Sequence, residues 1–343
     1  MRPNGWVLDL DGVVRLGDRR ITGSPEAIAR LRAEGATVVF ATNNSNDTVA
    51  RVVDQLGRMG VPASPESIVT SATAAAGLVE PGERVLACGG PGVTEAIQRR
   101  EAVPVDGRDP APVDAVMVGF HPDFDYERMT VALRAVLDGA RLIATNDDRT
   151  YPTEDGLAPG AGAILASVVA ASGAEPVIAG KPNQPMADAI EAAFDGTGTS
   201  PQLVVGDRLD TDGAVAEQLG CPFALVLSGV ATASDLVDDG PELVGNDLAA
   251  VVNEVGLRHR LGELVGLVAR SDLAQELDPA RAGVLPVQVD EPAELRVAHL
   301  EGGPELELVH DVGVGGAERL ERQLAEDPLF DGVPIAVGSG TTI

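Results

Sequence analysis

Short apolar runs and amphipathic stretches take turns along the first 72 residues, the pattern made by a parallel sheet covered with helices. Residues 5–8 (Gly-Trp-Val-Leu) predict a first strand. Ser24-Pro25 then offers an N-cap with proline at the first helical position, Ile28 and Leu31 share one face, and Gly35 stands where a helix would stop. Residues 36–41 predict a buried second strand running into Thr42-Asn43-Asn44-Ser45, and residues 48–58 predict a helix closed by Gly60. Both strands end in polar residues, which marks where to look for chemistry.

Between residues 74 and 179 the alternation starts afresh, with strands predicted at 85–88, 115–119 and 142–145 and helices at 127–138 and 162–171. The earlier pattern then resumes: a helix follows Pro185, a strand at 203–205 ends in Gly206-Asp207, a helix runs to Gly220, and a strand covers 223–227. The expected division is a core made of residues 1–73 and 181–252, an α/β insert at 74–180, and an α+β unit at 253–343. That last unit is expected to hold strands at 285–289, 295–300, 306–309 and 335–337 and a helix at 317–325.

With 343 residues, the chain exceeds what one compact core usually holds, in keeping with two or three domains. Hydrophobic residues at 44% and charged residues at 23% are ordinary for a globular protein and far from the composition of disordered chains. The net charge of −28 argues against nucleic-acid or anionic-membrane partners, because the long-range field repels phosphates. A phosphate ligand therefore needs a local positive site. Two cysteines, Cys88 and Cys221, support neither a disulfide framework nor a thiolate zinc site, and no apolar run reaches the ~18 residues that span a bilayer. A cytoplasmic setting without an export signal is the expectation. Among the 25 basic residues a single lysine stands out, Lys181. An ammonium is a compact point charge that arginine's planar fork does not replace.

Four polar segments lie at strand ends or just before helices: Asp9-Leu10-Asp11-Gly12, Thr42-Asn43-Asn44-Ser45, Gly180-Lys181-Pro182 and Gly206-Asp207-Arg208-Leu209-Asp210-Thr211-Asp212. In open parallel sheets such ends converge on one crevice. Each segment alone reads as a turn or helix start, but the four in this order point to phosphoryl transfer. Crowded aspartates repel one another by about 4 kcal/mol per pair at 4 Å and an effective dielectric near 20, so a hard divalent cation is needed. Mg²⁺ suits the set, with Asp9 and Asp207 as direct ligands and Asp212 orienting its bound water. The Thr42 hydroxyl and neighbouring backbone N–H groups, Asn43 first among them, can donate to phosphate oxygens, and Lys181 balances the charge. Asp9 can then attack in line as nucleophile, while Asp11 protonates the leaving alkoxide and later deprotonates water.

This set resembles the haloacid dehalogenase superfamily of phosphatases over residues 1 to about 250. The resemblance implies a Rossmann-like α/β core, Mg²⁺ dependence, nucleophilic Asp9, a metal contact from the Asp11 backbone carbonyl, and phosphate binding by Thr42 and Lys181. An insert between the threonine and lysine motifs is similar to the large-cap branch, as are the wordings Ala144-Thr145-Asn146-Asp147 and Pro159-Gly160-Ala161-Gly162. That branch includes nitrophenylphosphatases, phosphoglycolate and glycerol 3-phosphate phosphatases, a pyridoxal phosphatase and a nucleotidase. It implies a cap loop over the core, here residues 147–152, with Thr150, Tyr151 and the core residue Asn44 as substrate contacts. Relatives often carry Arg after Asn-Asn-Ser, whereas Asn46-Asp47 follows here, which favours a small phosphorylated metabolite. Glycerol 3-phosphate is the expected substrate, because the chain looks most like those glycerol 3-phosphate phosphatases that carry an extra C-terminal domain.

His310-Asp311-Val312-Gly313-Val314-Gly315-Gly316 resembles the pyrophosphate loop of GNAT acetyltransferases, with His310 where that family has Gln or Arg. On this resemblance the tail is a degenerate relative serving packing or regulation, with acyl-CoA binding as the alternative. Gly89-Gly90-Pro91-Gly92 reads as a turn, His121, His259, His299 and His310 show no ligand spacing, and no Gly-x-Ser-x-Gly elbow is present. The competing readings are a catalytically silent binding protein on this fold and a mutase that passes phosphate to another acceptor. A homo-oligomer is compatible with all of them.

Overall fold

The computed structural model describes residues 3–109, 111–153, 156–232, 234, 241 and 243–270, together with the strands at 297–299, 306–310 and 335–339. Contacts divide the chain into two units, Met1–Leu257 and Arg258–Ile343.

The first unit is built on two parallel sheets, as an α/β fold requires. In the six-stranded sheet the order is Leu243–Gly245, Phe223–Val226, Leu203–Gly206, Gly5–Leu8, Thr37–Thr42 and Ile68–Thr70. Every neighbouring pair is parallel, with Leu8 opposite both Val205 and Phe40. The chain leaves Gly5–Leu8 toward one edge and returns on its other side, so the strand order reverses beside this central strand. Such a switch point opens a crevice at the carboxyl ends of the strands.

Helices on both faces bury alternate residues of these strands. Trp6, Leu8, Val38, Phe40, Leu203 and Val205 pack on one face with Ile28 and Leu31 of the helix Ser24–Ala33 and Val52 and Leu56 of the helix Val49–Arg58. Val7, Val39, Val204 and Leu225 pack on the other with Met186 and Ile190 of the helix Gln184–Ala193. Each fully buried side chain of this size stabilises the fold by roughly 1.5–3 kcal/mol. Thr48 caps the helix Val49–Arg58 by accepting the Arg51 N–H at 3.2 Å. Ser24 does not cap its helix: its hydroxyl donates to the buried Val13 carbonyl at 2.8 Å, and Gly23 in the left-handed region takes the cap position. The buried hydroxyl thus serves a distant carbonyl rather than its own helix end.

The second sheet lies, in sequence, wholly inside the first. Its order is Val177–Ile178, Arg141–Ala144, Ala115–Val118, Arg84–Cys88 and Val103–Asp106, all parallel. The helices Tyr126–Leu137 and Ala161–Ser172 pack against it, and an antiparallel hairpin joins Thr150–Thr153 to Gly156–Pro159. The expected break after residue 73 falls within the helix Ser71–Ala76, whose alanines belong to the packed core, and the expected break after residue 252 falls within the helix Leu248–Arg270. Both positions read as boundaries because composition changes there, whereas backbone hydrogen bonding continues through them.

In the second unit, Leu306–His310 pairs antiparallel with Val297–His299 and parallel with Ile335–Ser339. The expected strand at 285–289, the helix at 317–325 and the glycine-rich loop 311–316 lie outside the described residues. No helix among the described residues is long and apolar enough to cross a membrane.

Candidate active site

Four expected residues meet at the crevice. Asp9 is the first residue beyond Gly5–Leu8 and donates its N–H to the Val205 carbonyl at 2.9 Å, while Asp207 is the first beyond Leu203–Gly206. Asp212 lies in the helical turn Leu209–Gly213, and Lys181 follows Gly180 at the return from the insert. The Lys181 Nζ donates to Asp9 Oδ1 at 2.6 Å, to Asp212 Oδ1 at 2.6 Å and to the Ala41 carbonyl at 3.1 Å. One carboxylate oxygen from each of Asp9, Asp207 and Asp212 lies within 4.8 Å of the others, and all three side chains are buried.

Burial, set against Lys181 and reinforced by Asp212, Asp207 and Asp11, holds the Asp9 carboxyl well above the usual range. Burial and then Asp212 push Asp207 up to about 6. Burial would lower the lysine, but Asp212 and Asp9 together raise it above its ordinary value and keep it charged. Three buried carboxylates thus share one ammonium, an excess of negative charge that buried sites do not carry alone. An all-oxygen donor set with this excess fits a hard divalent cation.

Protein donors already orient two of the acids. Asp207 Oδ2 accepts the Val230 N–H at 2.7 Å, and Asp212 Oδ2 accepts the Arg208 N–H at 3.1 Å. Asp212 therefore has both oxygens engaged, which suits action through bound water. Glycines leave the room: a Cβ on Gly12, whose φ is +88°, would stand 2.3 Å from Asp207 Oδ2, and one on Gly229 would stand 2.0 Å from it. A Cβ on Gly206 would meet the Asp212 carboxylate at 2.2 Å. Gly229→Ala is expected to displace Asp207 and destabilise the protein by about 1–3 kcal/mol, measured by urea denaturation.

The remaining expected residues divide. Thr42 is buried, and its Oγ1 accepts the Asn44 N–H at 3.1 Å, which leaves its proton for another acceptor. The Asn44 side chain braces its own loop, accepting from the N–H groups of Asn46 and Asp47 and donating to Asp47. Asn43 turns its amide onto the Lys181 backbone and Asp148. The Asp11 carboxylate, 53% exposed, receives Arg15 Nε at 3.1 Å and Nη2 at 3.3 Å; that guanidinium is buried and also donates to Gln55 at 2.8 Å. Tyr151 sits on the insert's hairpin with its ring edge-on to Phe120 at 4.9 Å, and the Phe120 N–H donates to Ser45 Oγ at 3.1 Å. Thr150 is exposed on the same hairpin.

Arg15 and Val230 lie in no segment singled out from the sequence, and Asp148 and Arg208 lie in such segments without a role assigned to them. Arg15 and Arg208 lie within four residues of motif aspartates and carry the scarcer charge of an acidic chain, a usable signal. Val230 contributes only its backbone N–H, which no residue type announces. His121 closes a local turn by accepting the Asp123 N–H on Nδ1 at 3.1 Å, in line with its lack of ligand spacing.

Comparison with known proteins agrees with this geometry. Residues 6–101 match the haloacid dehalogenase-like hydrolase family, and residues 178–251 match a HAD-hydrolase-like family. The acid sugar phosphatase of Staphylococcus aureus is 34% identical over 235 residues, covering 67% of this chain and 89% of that protein. The 5'-nucleotidase YutF of Bacillus subtilis is 32% identical over 238 residues, covering 68% and 91%. Among solved structures, the glycerol phosphate phosphatase Rv1692 of Mycobacterium tuberculosis, in complex with calcium, has a TM-score of 0.64 and 33% identity, covering 72% of this chain and 74% of that one. A crevice at a strand-order reversal, an acidic cluster around one lysine and these likenesses lead to one assignment: the chain belongs to the haloacid dehalogenase-like hydrolases, among their phosphatases.

Proposed function

We propose that the protein is a Mg²⁺-dependent phosphatase that hydrolyses a small phosphate monoester, glycerol 3-phosphate in the first instance, through an aspartyl-phosphate. The observation that carries this reading is the placement of Asp9, Asp207 and Asp212 about the Lys181 ammonium. Asp9, Asp207 and the Asp11 backbone carbonyl would hold the ion, with Asp212 acting on it through water. Bound there, magnesium would offset the carboxylate charge and draw electron density from the phosphoryl oxygens.

The chain's own groups then divide the work. Lys181 Nζ and the Thr42 hydroxyl donate to the phosphoryl oxygens, as does the Asn43 backbone N–H. Asp9 attacks phosphorus, the bond to the substrate oxygen breaks, and protonated Asp11 gives its proton to the leaving alkoxide. Asp11, now a carboxylate, takes a proton from water, which attacks the aspartyl-phosphate and releases free phosphate with Asp9 restored. Asp11 must trade Arg15 for these partners, and its exposure permits that exchange.

In this reading residues 74–180 form a cap whose hairpin, with Thr150 and Tyr151, selects the organic portion of the substrate, and residues 253–343 form an accessory unit. The likeness to the M. tuberculosis glycerol phosphate phosphatase and the absence of an arginine at Asn46-Asp47 support a small substrate. The B. subtilis nucleotidase keeps nucleoside monophosphates as the second candidate class. A phosphomonoester panel assayed for free phosphate decides between them: glycerol 3-phosphate is expected to lead, and EDTA to reduce turnover to background, with Mg²⁺ restoring it. Turnover unaffected by EDTA, or none across the panel with Mg²⁺, would refute the assignment. Coenzyme A leaving the melting temperature unchanged would remove acyl-CoA binding from the accessory unit.

A further inference from the structure

Asn43 joins three segments that are remote in sequence. Its Oδ1 accepts the backbone N–H of Lys181 at 2.8 Å, and its Nδ2 donates to the backbone carbonyl of the same lysine at 3.2 Å. The same Nδ2 reaches Asp148 Oδ2, on the insert, at 3.2 Å. The Asn43 carbonyl in turn accepts Ser71 Oγ and Asn146 Nδ2, each at 2.7 Å. Gly180 completes the fit, because a Cβ there would stand 2.6 Å from Asn43 Oδ1 and 2.5 Å from the Thr145 carbonyl.

An amide side chain is the one group that supplies both an acceptor and two donors to a facing peptide. Carboxylates match the acceptor half only, and aliphatic side chains match neither. Asn43 therefore closes on the Lys181 peptide from both sides and fixes the root of that side chain, while Asp9, Asp212 and the Ala41 carbonyl fix its head. The second Nδ2 contact ties this root to the insert, so the seating of the insert and the aim of the ammonium are set by one side chain.

We propose that Asn43 is a positioning residue that aims Lys181 at the phosphate and makes that aim depend on Asp148 of the insert. The proposal deepens the phosphatase reading and rests on it for the role of the lysine, but its geometry can be read without turnover. Lys181 is the sole lysine of the chain, so protein labelled with ¹³C,¹⁵N-lysine reports on one side chain.

In Asn43→Asp, two carboxylates face each other and the donor to the Lys181 carbonyl is gone. The lysine resonances are expected to move, and kcat to fall about tenfold to a hundredfold with KM little changed, the effect of a misaimed group. Asp148→Asn in that background restores a donor between positions 43 and 148, though not the one to the Lys181 carbonyl, and is expected to recover part of both. Asp148→Ala, which removes the tie to the insert together with a charge interaction with Arg208, is expected to fall between wild type and Asn43→Asp. Lysine resonances in Asn43→Asp and Asp148→Ala that superimpose on wild type would overturn the proposal, as would a double variant no better than Asn43→Asp. If wild type hydrolyses no phosphomonoester while the resonances respond as described, the phosphatase reading fails and the clamp stands.

Discussion

Replacing Asp9 with asparagine is expected to abolish phosphate release while leaving the metal-free fold at least as stable as the parent. The loss follows from chemistry: an amide is not a nucleophile toward phosphorus, and removing the group that forms the covalent intermediate costs roughly 10⁴-fold or more in turnover. The stability result follows from charge. Burial and three neighbouring acids hold the Asp9 carboxyl well above its ordinary value, so the folded state retains this proton more tightly than the unfolded chain does. Its ionisation therefore costs stability as pH rises out of the usual carboxylate range, a cost absent at lower pH. Asparagine keeps an oxygen that can accept from Lys181 Nζ and carries none of that cost. Parallel urea titrations of the EDTA-treated proteins at pH 7.5, alongside a phosphate-release assay, measure both effects. A variant that is markedly less stable, or that retains turnover, contradicts the account.

Lys181→Met is expected to fail in the opposite sense, losing activity and stability together. Taking away the only ammonium leaves Asp9 and Asp212 buried without their partner, and breaking a buried ion pair from one side costs about 3–5 kcal/mol. The activity loss is expected to be on the order of 10²-fold to 10³-fold, the usual result of deleting a donor to a developing phosphoryl charge. Arginine should not rescue it. The lysine side chain is 5% exposed and seated between two carboxylates, so a planar fork has neither the room nor the geometry. Urea denaturation of the variant beside the parent measures the stability loss.

The positions of Asp9 and Asp207 were legible because the strand before each breaks off in polar residues. Residues 5–8 and 203–205 are apolar without interruption, so the aspartates that follow could only lie at an edge. Lys181 was legible by its rarity. Contacts between distant segments left no such trace. Asn43 and Asp148 are 105 positions apart, and neither differs in type from an ordinary turn former. The strands Ile68–Thr70, Val103–Asp106 and Val177–Ile178 are too short to show a period, and exist because longer neighbours template them. Ser24 misled for a related reason, since the carbonyl it serves belongs to Val13, in a turn whose position the sequence does not disclose.

The register of the central strands bears on how this protein can change length over evolutionary time. Asp9 and Asp207 each stand one step beyond a four-residue strand. Neighbouring side chains in a strand point to opposite faces, so deleting a single residue from either would rotate its carboxylate out of the crevice and its apolar neighbours out of both cores. The paired strands Thr150–Thr153 and Gly156–Pro159 of the insert supply neither acid. Insertions and deletions should therefore vanish from the two core strands, and a variant shortened or lengthened by one residue in either should lose the acid's placement and the packing of its neighbours together.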